Sequence, residues 1–122
     1  MMGKMEKVSS DHTCVVDVRD VAFAHLAGVK VAAAAGKRFI LCHSSPSFHE
    51  YAAPVIAKYA PLGYPICQTL ADVDPEEKFS LFNNTASREV LGVPYIDFSK
   101  TMVDMADKMV ELGTVTKDAP AQ

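Results

Sequence analysis

The sequence lacks tryptophan, has only six glycines, and carries three cysteines and seven prolines in 122 residues. The glycines are Gly3, Gly28, Gly36, Gly63, Gly92 and Gly113, and no two lie within three residues of each other. A loop that cradles phosphate needs clustered glycines so that backbone N–H groups can approach the anion. Neither a dinucleotide fingerprint nor a P-loop is therefore present. There is also no Gly-x-Ser-x-Gly elbow of the kind a serine hydrolase uses. Cys14, Cys42 and Cys67 are odd in number and widely spaced, which argues against a disulfide framework and for reduced, buried thiols. Twelve basic residues against fifteen acidic ones give a net charge of −3. No basic excess draws the chain to nucleic acid or to an anionic membrane. No apolar run approaches the roughly 18 residues of a spanning helix. The first twelve residues hold no apolar stretch of a signal peptide. Met2-Gly3 is followed by Lys7 where a myristoylation motif needs Ser or Thr. The expected compartment is the cytoplasm.

What remains is ordinary globular material, 49% hydrophobic and 22% charged, enough for one domain. Thr13 to Val18 is a β-branched run that predicts a buried strand. Asp17 or Asp20 then caps a helix whose apolar positions Val18, Val21, Ala22, His25, Val29 and Ala32 carry it to about Ala35. Gly36 suits its left-handed end. Lys37 to Cys42 is a second short apolar run, expected as a strand covered on both faces. Ser47 and Glu50 have the spacing of a capping box. The stripe Phe48, Tyr51, Ala52, Val55, Ile56 and Tyr59 follows, with Pro54 expected to kink the helix or delay its start. Turn-formers Pro61, Gly63, Pro65 and Pro75 mark residues 60–82 as connection. A short helix over Thr85 to Leu91 ends at Gly92, and a last helix runs from about Asp97 to Leu112. Its apolar positions are Phe98, Met102, Met105, Met109 and Leu112. The order predicts an α/β fold with a parallel crossover, but two strands leave a sheet with open edges. The part carried here is incomplete: few parallel strands plus about four helices.

Candidate chemistry is sparse. His12 with Cys14, and Cys42 with His43 and His49, lack the paired tight spacing of a zinc site, so no metal is assigned. His25 reads as a packed histidine bonded to a neighbouring segment. His43-Ser44-Ser45 follows the second strand, where open α/β sheets bind ligands, but its simpler reading is a loop that leads into the helix cap. Asp17, Arg19 and Asp20 read as a cap with an ion pair. Catalytic and cofactor-binding residues are assigned nowhere in the chain.

Four stretches in order resemble the C-terminal half of one enzyme family. CVVDVRDVAFAH at 14–25 is similar to a strand–helix segment of extended and atypical short-chain dehydrogenases/reductases, in the NAD-dependent epimerase/dehydratase superfamily. GKRFILCHSS at 36–45 resembles the next strand, and SFHEYAAPVIAKYAP at 47–61 the next helix. FNNTASREVLGVPYIDFSKTMVDMADKMVELG at 82–113 resembles the closing segment. The nearest branch is that of dihydroflavonol reductase and cinnamoyl-CoA reductase. The likeness spans residues 1–115, with 116–122 a frayed tail. Even the first residues resemble a loop inside the family's domain, which implies an internal fragment or a truncated gene product.

That resemblance implies the substrate-side part of a Rossmann-type NAD(P)H-dependent carbonyl reductase, an oxidoreductase acting on CH–OH groups. The whole enzyme would bind NADP or NAD and a small carbonyl substrate. The departures matter equally. The family pairs Tyr-x-x-x-Lys with a Ser or Thr. Here Tyr51, Tyr59, Tyr64 and Tyr95 are followed four residues on by Val55, Gly63, Gln68 and Ser99. Ala86 stands where the closing segment commonly has lysine. His12-Thr13 stands where sugar-nucleotide epimerases carry arginine. The chain alone is therefore expected to bind no cofactor and to be inactive. Two alternatives stay open: a binding or regulatory module that pairs with a full-length reductase or with itself through open sheet edges, and an unrelated small enzyme built around His43.

Overall fold

A computed structural model describes residues 6–73, 79 and 81–117. The Met2-Gly3 pair, the turn at Pro75 and residues 118–122 of the expected tail lie outside the described residues. Four helices follow one another: α1 Val18–Lys30, α2 Phe48–Tyr59, α3 Thr85–Glu89 and α4 Phe98–Glu111. A single 3-10 turn, Ala32–Ala34, follows α1.

Asp17 starts α1 as its N-cap, accepting the backbone N–H of Arg19 at 2.8 Å. The helix is shorter than expected. It ends at Lys30 rather than near Ala35, because the next residues tighten into the 3-10 turn. Gly36 then takes φ +70°, the left-handed conformation that favours glycine. The predicted capping box forms at α2. The Ser47 hydroxyl accepts the Glu50 N–H, and the Glu50 carboxylate accepts the Ser47 N–H at 2.8 Å. Pro54 lies inside α2 without ending it, so the expected late start is wrong. Its ring leaves the Glu50 carbonyl one helical partner short, and burial of Val55 and Tyr59 on the next turn outweighs that loss. Asp97 caps α4 by accepting the N–H groups of Ser99 and Lys100.

The two expected strands are corrected. Among the described residues no strand ladder forms. Single bridges join Val8 to Leu70, His12 to Ser47 and Val15 to Ser44. The Val15–Ser44 contact is antiparallel, because the chain has already turned past His43 when it meets residue 15. From Arg38 to Cys42 no backbone group bonds another backbone group among the described residues. Side chains take the carbonyls instead. The Tyr95 hydroxyl reaches Ile40 O at 3.5 Å, and Asn84 Nδ2 reaches Cys42 O at 2.7 Å. A ladder needs a neighbouring strand in register, and none lies alongside.

Two apolar clusters form. The first joins Ala24, Ala27 and Ala34 to Leu91, Val93 and Tyr95, with Phe39 and Leu41 packed on it. The second joins Val55 and Tyr59 of α2 to Met102 and Ala106 of α4, with Phe98 and Val110 alongside. The α4 seam therefore runs Phe98, Met102, Ala106, Val110, at intervals of four. Met105 and Leu112, expected on it, are exposed. The larger correction concerns α1. Its predicted apolar stripe faces solvent: Val18 is 78% and Val29 89% exposed. His25 is exposed too, and its Nδ1 bonds Val21 O in its own helix rather than another segment. The buried side of α1 is Asp20, Ala24 and Ala27.

Ser47→Ala removes one half of the α2 capping box. It should lower unfolding stability by about 1 kcal/mol, read as a lower urea midpoint at unchanged slope. An unchanged midpoint would show that the box adds nothing.

Candidate functional site

Three polar groupings are candidates for chemistry, and each is built by a helix terminus or a loop that follows an apolar segment. The first lies at the end of residues 37–42. The peptide of His43 is fixed by donation to Val15 O at 2.7 Å. Its Nδ1 lies 2.8 Å from Ser44 Oγ. The ring stands edge-on to Tyr95, with centroids 6.2 Å apart, and tilted against Phe98 at 6.3 Å. Tyr51 packs on the other side of Phe98. The thiols of Cys14 and Cys42 lie beside it. Burial, reinforced by Cys42, pushes the Cys14 thiol up to about 12. Burial raises the Tyr51 hydroxyl as well, with both thiols adding to the effect. These are protonated, unreactive groups at neutral pH.

A nucleophile needs a base, and the base needs a third group to orient it. His43 and Ser44 are adjacent in sequence. Among the described residues no carboxylate bonds the imidazole. The His43 loop is thus the aromatic-packed approach to the α2 cap. His12 and His49 serve the same end: their rings bond Ser45 O at 2.9 Å and Val8 O at 3.0 Å. No group of three or more His, Cys, Asp or Glu able to hold a metal occurs among the described residues.

The second grouping joins α1 to α4. Asp17 is 2% exposed yet ionised. Arg19 grips it twice, Nε to Oδ1 at 2.8 Å and Nη2 to Oδ2 at 2.6 Å, and the Thr101 hydroxyl donates to Oδ2 at 2.7 Å. The Arg19 hydrogen bonds hold this carboxyl well below the usual carboxylate range against the opposing cost of burial. Arg19 also reaches Asp104, which Lys100 pairs from one turn earlier. Asp20, 1% exposed, accepts the Ile96 N–H at 2.8 Å. This confirms the reading of the Asp17-Arg19-Asp20 cluster as a cap with an ion pair.

The third grouping links α2 to α4. Lys58 and the Tyr59 hydroxyl both donate to the Asp107 carboxylate. Burial and then this bond push Tyr59 up to about 12. Beside it a shallow apolar cleft opens to solvent between Val55, Tyr64, Ala106 and Met109. Two tyrosines line it, Tyr59 and Tyr64, and the Tyr59 hydroxyl is committed to Asp107.

Sequence reasoning missed a fourth feature. Tyr95 takes φ 54°, uncommon for a residue with a bulky side chain. Its hydroxyl lies 2.6 Å from Ser87 Oγ, which in turn donates to Asn84 O at 2.7 Å, and Ser87 is fully buried. The Arg88 guanidinium stacks over its ring, 4.5 Å from the centroid. These bonds fix the strained residue. Pro94 immediately before it was the one available signal. All of these groups have partners: no buried side-chain nitrogen or oxygen among the described residues lacks one.

A dinucleotide would need a glycine cradle at a helix N-terminus. Gly36, Gly63, Gly92 and Gly113 instead take positive φ in turns, with open space about each. Among the described residues these four glycines form no such cradle.

No protein-family model matches the chain. It is 31% identical over 96 residues to the ketoreductase azaE of Aspergillus niger, a match that covers 79% of the chain and 28% of that enzyme. The structure superposes on that of Gre2 in complex with NADPH from Candida albicans. The TM-score is 0.68 at 24% identity, covering 90% of the chain and 34% of the solved one. A reductase engineered to attenuate substrate inhibition gives a TM-score of 0.66 at 24% identity, with 85% and 31% covered. The chain therefore spans about a third or less of the proteins it matches. It carries part of the Rossmann-type reductase fold, and the resemblance to short-chain dehydrogenases/reductases stands.

Because Asp17 titrates below its unfolded value, its contribution is full above about pH 4 and is lost as pH falls toward the depressed folded value. Asp17→Asn should cost about 2–3 kcal/mol at neutral pH and flatten the acid limb of stability against pH. An acid limb identical to that of the parent chain would refute the assignment.

Proposed function

We propose that this chain is the substrate-side portion of an NAD(P)H-dependent carbonyl reductase of the dihydroflavonol reductase and cinnamoyl-CoA reductase type. Residues 1–115 form that portion. The observation that carries the reading is the agreement of sequence order with shape. The four family-like stretches occur in family order, and the same chain folds onto solved reductases over 85–90% of its length.

In the whole enzyme, hydride passes from nicotinamide to a carbonyl carbon. A tyrosine supplies the proton, and a nearby lysine lowers its pKa. This chain contributes neither of those groups. Each tyrosine lacks a lysine four residues on, and Tyr59 and Tyr95 spend their hydroxyls on Asp107 and Ser87. The portion's task is to shape and cover the substrate side, and it is inactive alone. A cytoplasmic setting fits this reading. Among the described residues no helix is long and apolar enough to cross a membrane.

A chimera tests the proposal. The segment of the Aspergillus niger ketoreductase that matches this chain is replaced by the chain. The expected product binds NADPH, consumes it with ketone substrates, and shows a changed KM pattern across substrates at unchanged NADPH affinity. The isolated chain should give no NADPH fluorescence change and no turnover. Saturable NADPH binding by the isolated chain, or a chimera with lost NADPH affinity, would overturn the reading.

A further inference from the structure

The outer face of α1 has no counterpart among the described residues. Val18, Leu26 and Val29 are 78%, 62% and 89% exposed. Val18, Ala22, His25 and Val29 follow one another at intervals of four, three and four. At about 3.6 residues per turn these positions form one line along the helix. No carboxylate or ammonium group stands on that line. His25 directs Nδ1 to its own helix, 2.8 Å from Val21 O. The opposite side, Ala24 and Ala27, is already buried in the first cluster. A helix that is apolar on both sides belongs between two packed layers.

We infer that this outer face of α1 docks an apolar helix from the part of a reductase fold that the chain does not span. The inference rests on the reductase reading above and names the surface by which the portion joins the rest. Three observations fix the occupant. The four-three-four spacing is the one a facing helix fills, knobs into holes. Ala22, at the middle of the line, lets the two axes approach closely. About two thirds of each solved reductase lies outside the match, chain enough to hold a covering helix. A second copy fits less well. Antiparallel self-pairing sets each flank against the same flank of the copy. On that flank Lys30 would meet Arg19, whose guanidinium is already committed to Asp17 and Asp104, and would gain no new carboxylate partner.

The test mixes this chain with the Aspergillus niger ketoreductase lacking the matched segment. A one-to-one complex is expected on gel filtration with light scattering. Leu26→Glu with Val29→Lys should weaken it at least tenfold while leaving the isolated chain's helical circular dichroism unchanged. Both positions are exposed, and the new carboxylate lies four residues before Lys30, a favourable spacing. Val73→Asp, comparably exposed and outside α1 in sequence, should leave the complex intact. A complex that survives the α1 double substitution overturns the docking surface and leaves the reductase reading standing. Failure of the parent chain to form any complex overturns both. A homodimer that the double substitution dissolves overturns the inference in favour of a second copy.

Discussion

The first and last helices are tied together by two buried carboxylates, and the rest of the structure hangs on that tie. Asp17 and Asp20 are almost wholly removed from water. A buried carboxylate without partners costs several kcal/mol, enough to unfold a small domain. Each is therefore satisfied across a long sequence distance. Asp17 takes Arg19 and the Thr101 hydroxyl, and Asp20 takes the Ile96 N–H. The residues after Pro94 can adopt their path only while Asp20 holds that amide. The strained Tyr95 sits one residue before it, anchored by Ser87. The polar tie thus sets the approach of α4, and α4 in turn closes on α2.

This arrangement explains how a chain without a sheet ladder still forms two apolar clusters. In an α/β domain the sheet supplies the layer on which helices pack. Here residues 37–42 stay extended without a strand neighbour. Their carbonyls are taken by Tyr95 and Asn84, and Phe39 and Leu41 face the first cluster while Ile40 points outward, about half exposed. The alternation of a strand persists although the ladder does not. Hydrogen bonds that a neighbouring strand would make are made by side chains, so α3 and the loop after it stand where a strand edge would be. The α2–α4 pair is independent of this. It packs helix on helix and adds the Lys58–Tyr59–Asp107 link at its rim.

Local features were legible in the sequence where the cause is local. The Ser47–Glu50 box, the Asp17 cap, the start of the short helix at Thr85 and the span of α4 all follow from residues within one turn of each other, whereas that short helix ends at Glu89 rather than at Leu91. What was not legible depends on remote chain. The line Val18, Ala22, His25, Val29 has helical spacing, but spacing alone does not say which side of a helix is the core. Ala24 and Ala27, small and less hydrophobic, won the inner side because Leu91, Val93 and Tyr95 approach closely there. The drift of the α4 seam from Met105 to Ala106 has the same origin. A small residue was needed where Val55 and Tyr59 press in. The strands failed because β-branched runs state a preference for extension, and a ladder is a property of two segments. The site was legible mainly as an absence, through the glycine spacing and the residues that follow each tyrosine. The Tyr95–Ser87 knot was not, since nothing in the sequence fixes a left-handed tyrosine.

The protonation states of the buried polar groups follow from what surrounds them. A catalytic acid or base must be free to exchange a proton with a substrate at working pH. Tyr59 and Cys14 are pushed up to about 12, and Asp17 is driven below the normal carboxylate range. Burial dominates for Tyr59 and Cys14, and the Arg19 hydrogen bonds dominate for Asp17. Reactivity has been traded for rigidity at every buried titrating group that departs from its ordinary value. Polar side-chain atoms buried among the described residues are satisfied internally, while the apolar outer line of α1 is exposed, so an association there would be driven by burial of that line rather than by pairing of charge.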